Sequence, residues 1–381
     1  MPAPERHACF ATCTRGVEPV LQAEVRALGL ARQERQVGGV YFEGTRLDLW
    51  RANRQLATAV RVLQRLARFP ARDGDELYAA TRELPWERWL APDGSLVVAA
   101  QASESALDHS RFLEQRVKDA IVDRFRAREG TRPAVEREDP DLRIHLHLHA
   151  DRATLALDTS GAALHRRGWR LHQGRAPLAE NLAAALVRLS GWDARAPLVD
   201  PFCGSGTIAI EAAWLAAGIA PGSRRSFGFE RWRDHDARAY AAWQATQTAA
   251  PSGRRRPTLV ASDVDEARVA EARANAEHAG VGDWIRCEVA DARALELRAG
   301  WNAFVVANAP YGLRVGDGGE AGEVLELYRA FGARLRAVGR GSRLALLALE
   351  QAQVRALGLR GLATQELLNG GLECQLALGE V

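Results

Sequence analysis

Apolar and polar positions alternate along this chain with two different periods, and the period changes several times. Ala8–Thr12 and Gly38–Gly44 read as strands, and between them Val17–Leu28 places Val20, Leu21, Val25 and Leu28 at helical spacing before Gly29. Leu47–Leu56 predicts a helix, Val60–Leu66 a strand, Glu76–Trp89 a helix pair broken at Pro85, and Leu96–Ala100 a buried strand. Ser110–Arg128 predicts a long amphipathic helix, with Phe112, Val117, Ile121 and Phe125 inward and Arg111, Arg116, Lys118, Arg124 and Arg126 outward. Ile144–Leu148 and Thr154–Asp158 predict a hairpin. His145, His147 and His149 share one face of its first strand, read as a solvated polar face opposite buried leucines.

From Ala176 the pattern changes to regular alternation of helix and strand. A helix over Ala176–Ser190, led in by Pro177, precedes strand Leu198–Asp200 and helix Ile208–Ala217. Residues 218–256 form a long insertion rich in arginine and tryptophan, with a helix at Tyr240–Gln247; loops of that length are functional or carry helices of their own. Strand Leu259–Asp263, helix Glu266–His278, strand Trp284–Val289, strand Phe304–Ala307, helix Gly322–Val338 and strand Arg343–Leu349 follow. Leu362–Leu368 and Leu372–Leu378 then form a terminal hairpin about Asn369-Gly370-Gly371. Such a run describes an open, mostly parallel α/β sheet with an antiparallel edge, preceded by α+β units.

At 381 residues the chain exceeds one core, so two or three domains are expected. No apolar run approaches the ~20 residues of a membrane span, and no apolar segment follows a basic start, so a cytoplasmic protein is expected. Five scattered cysteines fit a reducing compartment, and Cys9-x3-Cys13 without a second pair is a poor metal signal. The net charge of +3 does not by itself argue for nucleic acid, so the position of the arginines must carry that case. Lys118 is the only lysine. The junction 159–176 gathers Arg166, Arg167, Arg170 and Arg175 around Trp169, where guanidinium groups would hold phosphate and the indole would stack on a base.

Two stretches carry the chemistry. In the first, a strand runs into Asp200-Pro201-Phe202-Cys203-Gly204-Ser205-Gly206-Thr207. Its glycines let the backbone approach a ligand, and the following helix offers free N–H groups. It lacks the third glycine of dinucleotide sites and the Lys-Ser/Thr of phosphate-binding loops. Asp263 and Asp291 fall at the next two strand ends, with Asp263 placed for a ribose hydroxyl, a contact that NAD enzymes also use. The second stretch is Asn308-Ala309-Pro310-Tyr311-Gly312, at the end of the fourth strand.

Together and in this order, the stretches resemble the S-adenosylmethionine (SAM) site and the amino-methylating Asn-Pro-Pro-Tyr loop of class I methyltransferases. More closely, the whole chain resembles the THUMP-domain methyltransferases that make 2-methylguanosine in bacterial 23S rRNA. Phe10-Ala11-Thr12 with Arg15-Gly16, Arg116–Ile121, Leu164–Gly168, Ala176–Leu182 and Asp200–Ile208 carry that resemblance. It implies a ferredoxin-like segment over 1–45, a THUMP RNA-binding domain over 46–160 and a Rossmann-like methyltransferase over 161–381. It implies SAM held by Asp200, Pro201, Cys203, Gly204, Ser205, Gly206, Thr207, Asp263, Asp291 and Asn308. Catalysis would rest on Asn308, Ala309, Pro310 and Tyr311: the Asn308 oxygen and Ala309 carbonyl accept from the target amino group while Tyr311 stacks on the base. RNA would meet Arg116, Lys118, Arg166, Arg167, Trp169, Arg170 and Arg175; neither metal nor membrane is implied. Guanosine in tRNA, adenine in DNA and a catalytically degenerate RNA-binding protein are the alternatives. Ala309 departs from the family's proline, so a looser loop is expected, and Ala309→Pro is expected to match or raise activity.

Overall fold

The computed structural model describes residues 5–172, 178–247, 256–312 and 321–381. In the first half, β1 (His7–Thr12), α1 (Glu18–Ala27), β2 (Ala31–Gln36), β3 (Gly39–Gly44), α2 (Arg46–Gln55) and β4 (Arg61–Pro70) come first. They are followed by α3 (Gly74–Arg82), β5 (Ser95–Ser103), α4 (Ser110–Glu129), β6 (Ala134–Val135), β7 (Leu142–His149) and β8 (Arg152–Asp158). All eight strands join one sheet in the order β2-β3-β1-β4-β8-β7-β5-β6. Strand β4 unites it, because Arg61–Arg65 pairs with β1 while Leu63–Pro70 pairs with β8 across a bulge at Arg65/Ala67. The expected division at 45 therefore falls inside a continuous sheet.

Local chemistry explains the elements. Helix α2 opens on a capping box: the Asp48 N–H donates to the Thr45 hydroxyl, and the Asp48 carboxylate accepts from the Thr45 N–H at 2.9 Å. Strand β2, Ala-Arg-Gln-Glu-Arg-Gln, is an edge strand with no buried residue, so it carries no apolar alternation by which to be found. Helix α4 has the expected span but a rotated face. Its buried stripe is Leu113, Val117, Ala120, Ile121, Arg124 and Phe125, leaving Phe112 44% exposed. Arg124, expected outward, lies within that stripe because Glu87 meets it at 2.7 and 2.8 Å. On β7, His147 and His149 are exposed and stack at 6.2 Å, whereas His145 turns toward the buried Asp158.

The second half contains α5 (Glu180–Leu189), β9 (Leu198–Asp200), α6 (Thr207–Ala217), α7 (Ala237–Thr246), β10 (Leu259–Asp263), α8 (Glu266–His278) and β11 (Ile285–Val289). Then come β12 (Phe304–Asn308), α9 (Ala321–Val338), β13 (Arg343–Ala348), α10 (Gln351–Ala356), β14 (Ala363–Asn369) and β15 (Leu372–Glu380). Helix α5 starts at Glu180, later than expected; Ala176 and Pro177 lie outside the described residues. The sheet order is β11-β10-β9-β12-β13-β15-β14, with β15 antiparallel between β13 and β14 and the first five strands parallel. The chain leaves β9 toward β10 and β11 and then returns to the far side at β12. The β9–β12 boundary is thus the topological switch, where open α/β sheets bind ligands at their C-terminal ends.

The arginine-rich insertion locks the halves together. The Arg225 guanidinium donates to the carbonyls of Ser160, Ala162, Ala163 and Arg166, and burial lowers its pKa to about 10. Trp50 of α2 packs against Phe229, Tyr240 and Trp243 with ring centroids 5.1–6.5 Å apart. Asp234 meets both Arg46 and Arg88.

Candidate active site

Four adjacent strands, β11, β10, β9 and β12, deliver polar residues to one end of the sheet. Asp200 ends β9 with 1% of its surface exposed, and its Oδ1 accepts from the Phe202 N–H at 3.2 Å. Burial, with a smaller contribution from the charge of Asp263, pushes its pKa up to about 8. Asp263 ends β10. Its Oδ2 accepts from the Gly204 N–H at 3.0 Å and its Oδ1 from the Asp265 N–H at 3.1 Å, so the carboxylate ties the glycine turn to the neighbouring strand. The Cys203 N–H donates to the Ser262 carbonyl at 2.9 Å, a second tie between the same segments.

The two glycines of the turn do different work. Both have left-handed φ, +52° at Gly204 and +85° at Gly206. A Cβ on Gly206 would stand 3.0 Å from the Ala272 Cβ, so this glycine lets α6 pack on α8. A Cβ on Gly204 would meet nothing within 4 Å, so this glycine faces open space at the head of α6.

Several expected ligand-holding groups face inward. The hydroxyls of Ser205 and Thr207 accept from Arg170 at 3.2 and 3.0 Å, and Arg170 also bonds Glu180 at 2.8 Å and the Leu178 carbonyl at 3.0 Å. They brace the turn from behind. Pro201 and Cys203 are buried beside Asp200. Asp291 lies two residues beyond β11, and its bond to the Arg293 guanidinium holds its pKa down. Val264 and Val289, next to these carboxylates, are 69% and 55% exposed and add an apolar surface to the same rim. Asn275 of α8 had no sequence signal. It accepts from the N–H groups of Leu171 and His172 and donates to the carbonyls of His172 and Ser205, fixing the turn to the incoming junction.

At β12, the Asn308-Ala309-Pro310-Tyr311 loop is held at every residue. The Ala309 N–H donates to the Leu347 carbonyl at 3.2 Å, with both residues buried. The Pro310 carbonyl accepts from the Tyr328 hydroxyl at 3.4 Å and the Tyr311 carbonyl from Gln353 Nε2 at 3.2 Å. The Tyr311 hydroxyl donates to Asn308 Oδ1 at 2.7 Å, and burial raises its pKa, which keeps it protonated. Ala309 ties the loop to β13 through its N–H, and proline at 309 would delete that hydrogen bond, against the expectation that Ala309→Pro matches or raises activity. Tyr311 is half-buried with its hydroxyl bound inward, so its ring plane is set by the protein itself.

Most of the junction faces inward, where a surface for RNA was expected. Trp169, expected to stack on a base, is fully buried edge-on to Trp214. Arg167 is 1% exposed and pairs with the buried Glu211, besides bonding the carbonyls of Ala57 and Leu164. Arg170 braces the glycine turn as described. These cations tolerate burial because carboxylates from α5 and α6 meet them, a pairing across tertiary structure. Arg166 is exposed and, with Arg61, Arg143, His165 and Arg231, lines a cavity of about 240 Å³ between the halves. Arg116 and Lys118 reach the surface but have acidic neighbours, Asp75 and Asp119. Arg175 lies outside the described residues.

Among the described residues, no helix is long and apolar enough to cross a membrane. A model of the RMKL-like methyltransferase domain matches residues 167–377, a THUMP domain matches 71–158, and an RlmL ferredoxin-like domain matches 8–63. The chain is 41% identical over 377 residues to a ribosomal RNA large subunit methyltransferase K/L of Syntrophotalea carbinolica, covering 96% of this chain and 52% of that protein. It thus spans about half the length of the curated relatives it matches. Its fold is similar to that of SMU.472, a putative methyltransferase complexed with SAH (TM-score 0.88, 28% identity, 99% of each chain). It is also similar to the structure of a predicted N6-adenine-specific DNA methylase from Listeria monocytogenes (TM-score 0.86, 31% identity, 99% of this chain and 97% of that one).

Proposed function

Because this chain belongs to the RMKL-like methyltransferase family, joined here to a THUMP and an RlmL ferredoxin-like domain, we propose that it methylates the exocyclic 2-amino group of a guanosine in RNA, with 23S rRNA as the favoured substrate. Its work would lie in the cytoplasm. The observation that carries this reading is the placement of Asn308 and Ala309 at the end of β12, on the strand beside the glycine turn.

The residues present fit SAM. Gly204 leaves open space at the head of α6, Asp263 offers a carboxylate at the strand end, and Val264 adds an exposed apolar side chain. When bound, SAM supplies an electrophilic methyl group on a sulfonium. The chain's own residues must overcome the poor nucleophilicity of an aryl amine, whose lone pair is delocalised into the ring. Asn308 Oδ1 has two lone pairs and Tyr311 occupies one, so the other remains for an amino hydrogen. The Ala309 carbonyl, on a backbone pinned to β13, is the second acceptor. Two fixed acceptors hold the nitrogen in line and favour its pyramidal form. The product nitrogen then releases its proton to water, so no charged base is needed.

The test is methyl transfer from labelled SAM by the purified protein to unmodified 23S rRNA and tRNA transcripts, followed by nucleoside analysis. The expected product is 2-methylguanosine in the 23S transcript. Labelled 6-methyladenine would overturn the assignment of the target, and absence of transfer would leave an RNA-binding protein. Asn308→Ala should lower kcat by about 10²-fold with SAM affinity retained, as removal of one preorganised polar group does elsewhere.

A further inference from the structure

Asn369 is the last residue of β14, at the tip of the terminal hairpin and 58 positions from the loop it touches. Its Nδ2 donates to the Tyr311 hydroxyl at 2.9 Å, and that hydroxyl donates to Asn308 Oδ1 at 2.7 Å. The Cys374 thiol of β15 lies 3.7 Å from the same oxygen. We propose that Asn369 is a positioning residue for amino-group methylation, acting through Tyr311 to orient the Asn308 acceptor; this rests on the reading of Asn308 as that acceptor.

A phenol has a single proton and two lone pairs, whereas an amide nitrogen only donates. By presenting its nitrogen, Asn369 fills a lone pair of the Tyr311 oxygen and offers the phenolic proton no acceptor, so the Cys374 sulfur at 3.7 Å is only a weak competitor and the proton's oxygen partner is Asn308 Oδ1 at 2.7 Å. That bond, in turn, fixes which end of the Asn308 amide is oxygen and where it points. Hydrogen bonds in series polarise one another, so donation into the phenol also makes it a stronger donor. A hydroxyl held from both sides cannot rotate, which fixes the Tyr311 ring plane. The hairpin itself needs none of this, because its strands pair from Ala363↔Leu378 to Asn369↔Leu372 and β15 is anchored along β13.

The experiment uses the full chain, with methyl transfer to an unmodified 23S rRNA transcript and thermal unfolding measured for each variant. Asn369→Ala should lower kcat about tenfold, with KM for RNA and SAM and the melting temperature near wild type. Asn369→Asp, the same shape with only acceptors when ionised, should cost at least as much, because it draws the phenolic proton away from Asn308. Tyr311→Phe should cost about as much as Asn369→Ala, and the double variant no more than either, since both act through one hydroxyl. Wild-type kcat for Asn369→Ala and Asn369→Asp, beside a crippled Asn308→Ala, would overturn the proposal and leave the function standing. Independent, multiplying losses in the double variant would also overturn it. Full turnover by Asn308→Ala would instead bring down the reading of the loop on which the proposal rests.

Discussion

Replacing Ala309 by proline makes the sequence more like the family's Asn-Pro-Pro-Tyr loop, yet the structure says the change should do harm. The Ala309 N–H is 3.2 Å from the Leu347 carbonyl, continuing the ladder between β12 and β13, and the two residues are 2% and 0% exposed. Proline removes the donor, and its ring carbon would stand where the hydrogen now points, inside contact distance of that oxygen. Leaving a buried carbonyl without this partner costs about 1–3 kcal/mol, whereas restricting the unfolded chain returns about 0.4–1 kcal/mol. Taking the middles of the two ranges, about 2 and about 0.7 kcal/mol, the balance is a net loss of about 1–2 kcal/mol. For a domain of this size each kcal/mol is worth about 2–4 °C, so the melting temperature should fall by about 2–8 °C. Turnover should fall with it, because the backbone that carries the Ala309 carbonyl must move away from β13. Thermal unfolding and single-turnover methyl transfer of Ala309→Pro against wild type measure both. An unchanged or higher melting temperature with full turnover would refute the argument and restore the expectation drawn from the family pattern.

Arg170→Met should weaken SAM binding, read by calorimetry, because the Ser205 and Thr207 hydroxyls lose their brace; RNA affinity measured at fixed salt should hold. A loss confined to RNA binding would return Arg170 to the phosphate-contacting role expected of it. Asp200 shifts from an ordinary value of 3.8 to about 8, so between about pH 4 and pH 8 the folded protein holds a proton that the unfolded chain releases. Its contribution to stability therefore falls as pH rises through that window, and Asp200→Asn should flatten the decline in urea midpoint between about pH 5 and about pH 8. An equal decline in the variant would place the titration elsewhere.

Most of the architecture was legible because it is written in period and punctuation. The alternation from β9 to β13 and the hairpin after it are visible in the apolar runs, and the strand-end carboxylates and glycine turn fall where those runs stop. Each such signal is local, carried by residues within one or two turns of each other. Where an element draws its stability from one neighbour, as the edge strand β2 does, or where two helical faces compete, as Phe112 and Leu113 do on α4, the pattern underdetermines the answer.

What only the tertiary structure decided is which polar groups meet. Arg166, Arg167 and Arg170 are chemically identical in the sequence, yet one is exposed, one pairs with Glu211 of α6 and one with Glu180 of α5. A guanidinium enters the interior only where a carboxylate waits for it, and that carboxylate comes from another element. The same holds for the loop at β12. Its motif is four residues long, but Gln353, Tyr328, Leu347 and Asn369 hold it in place, and none carries a signal of its own. The sequence alone determined where the acceptors sit in the chain; chain folding, which brings residues 58 apart to within 2.9 Å, decided how they are aimed.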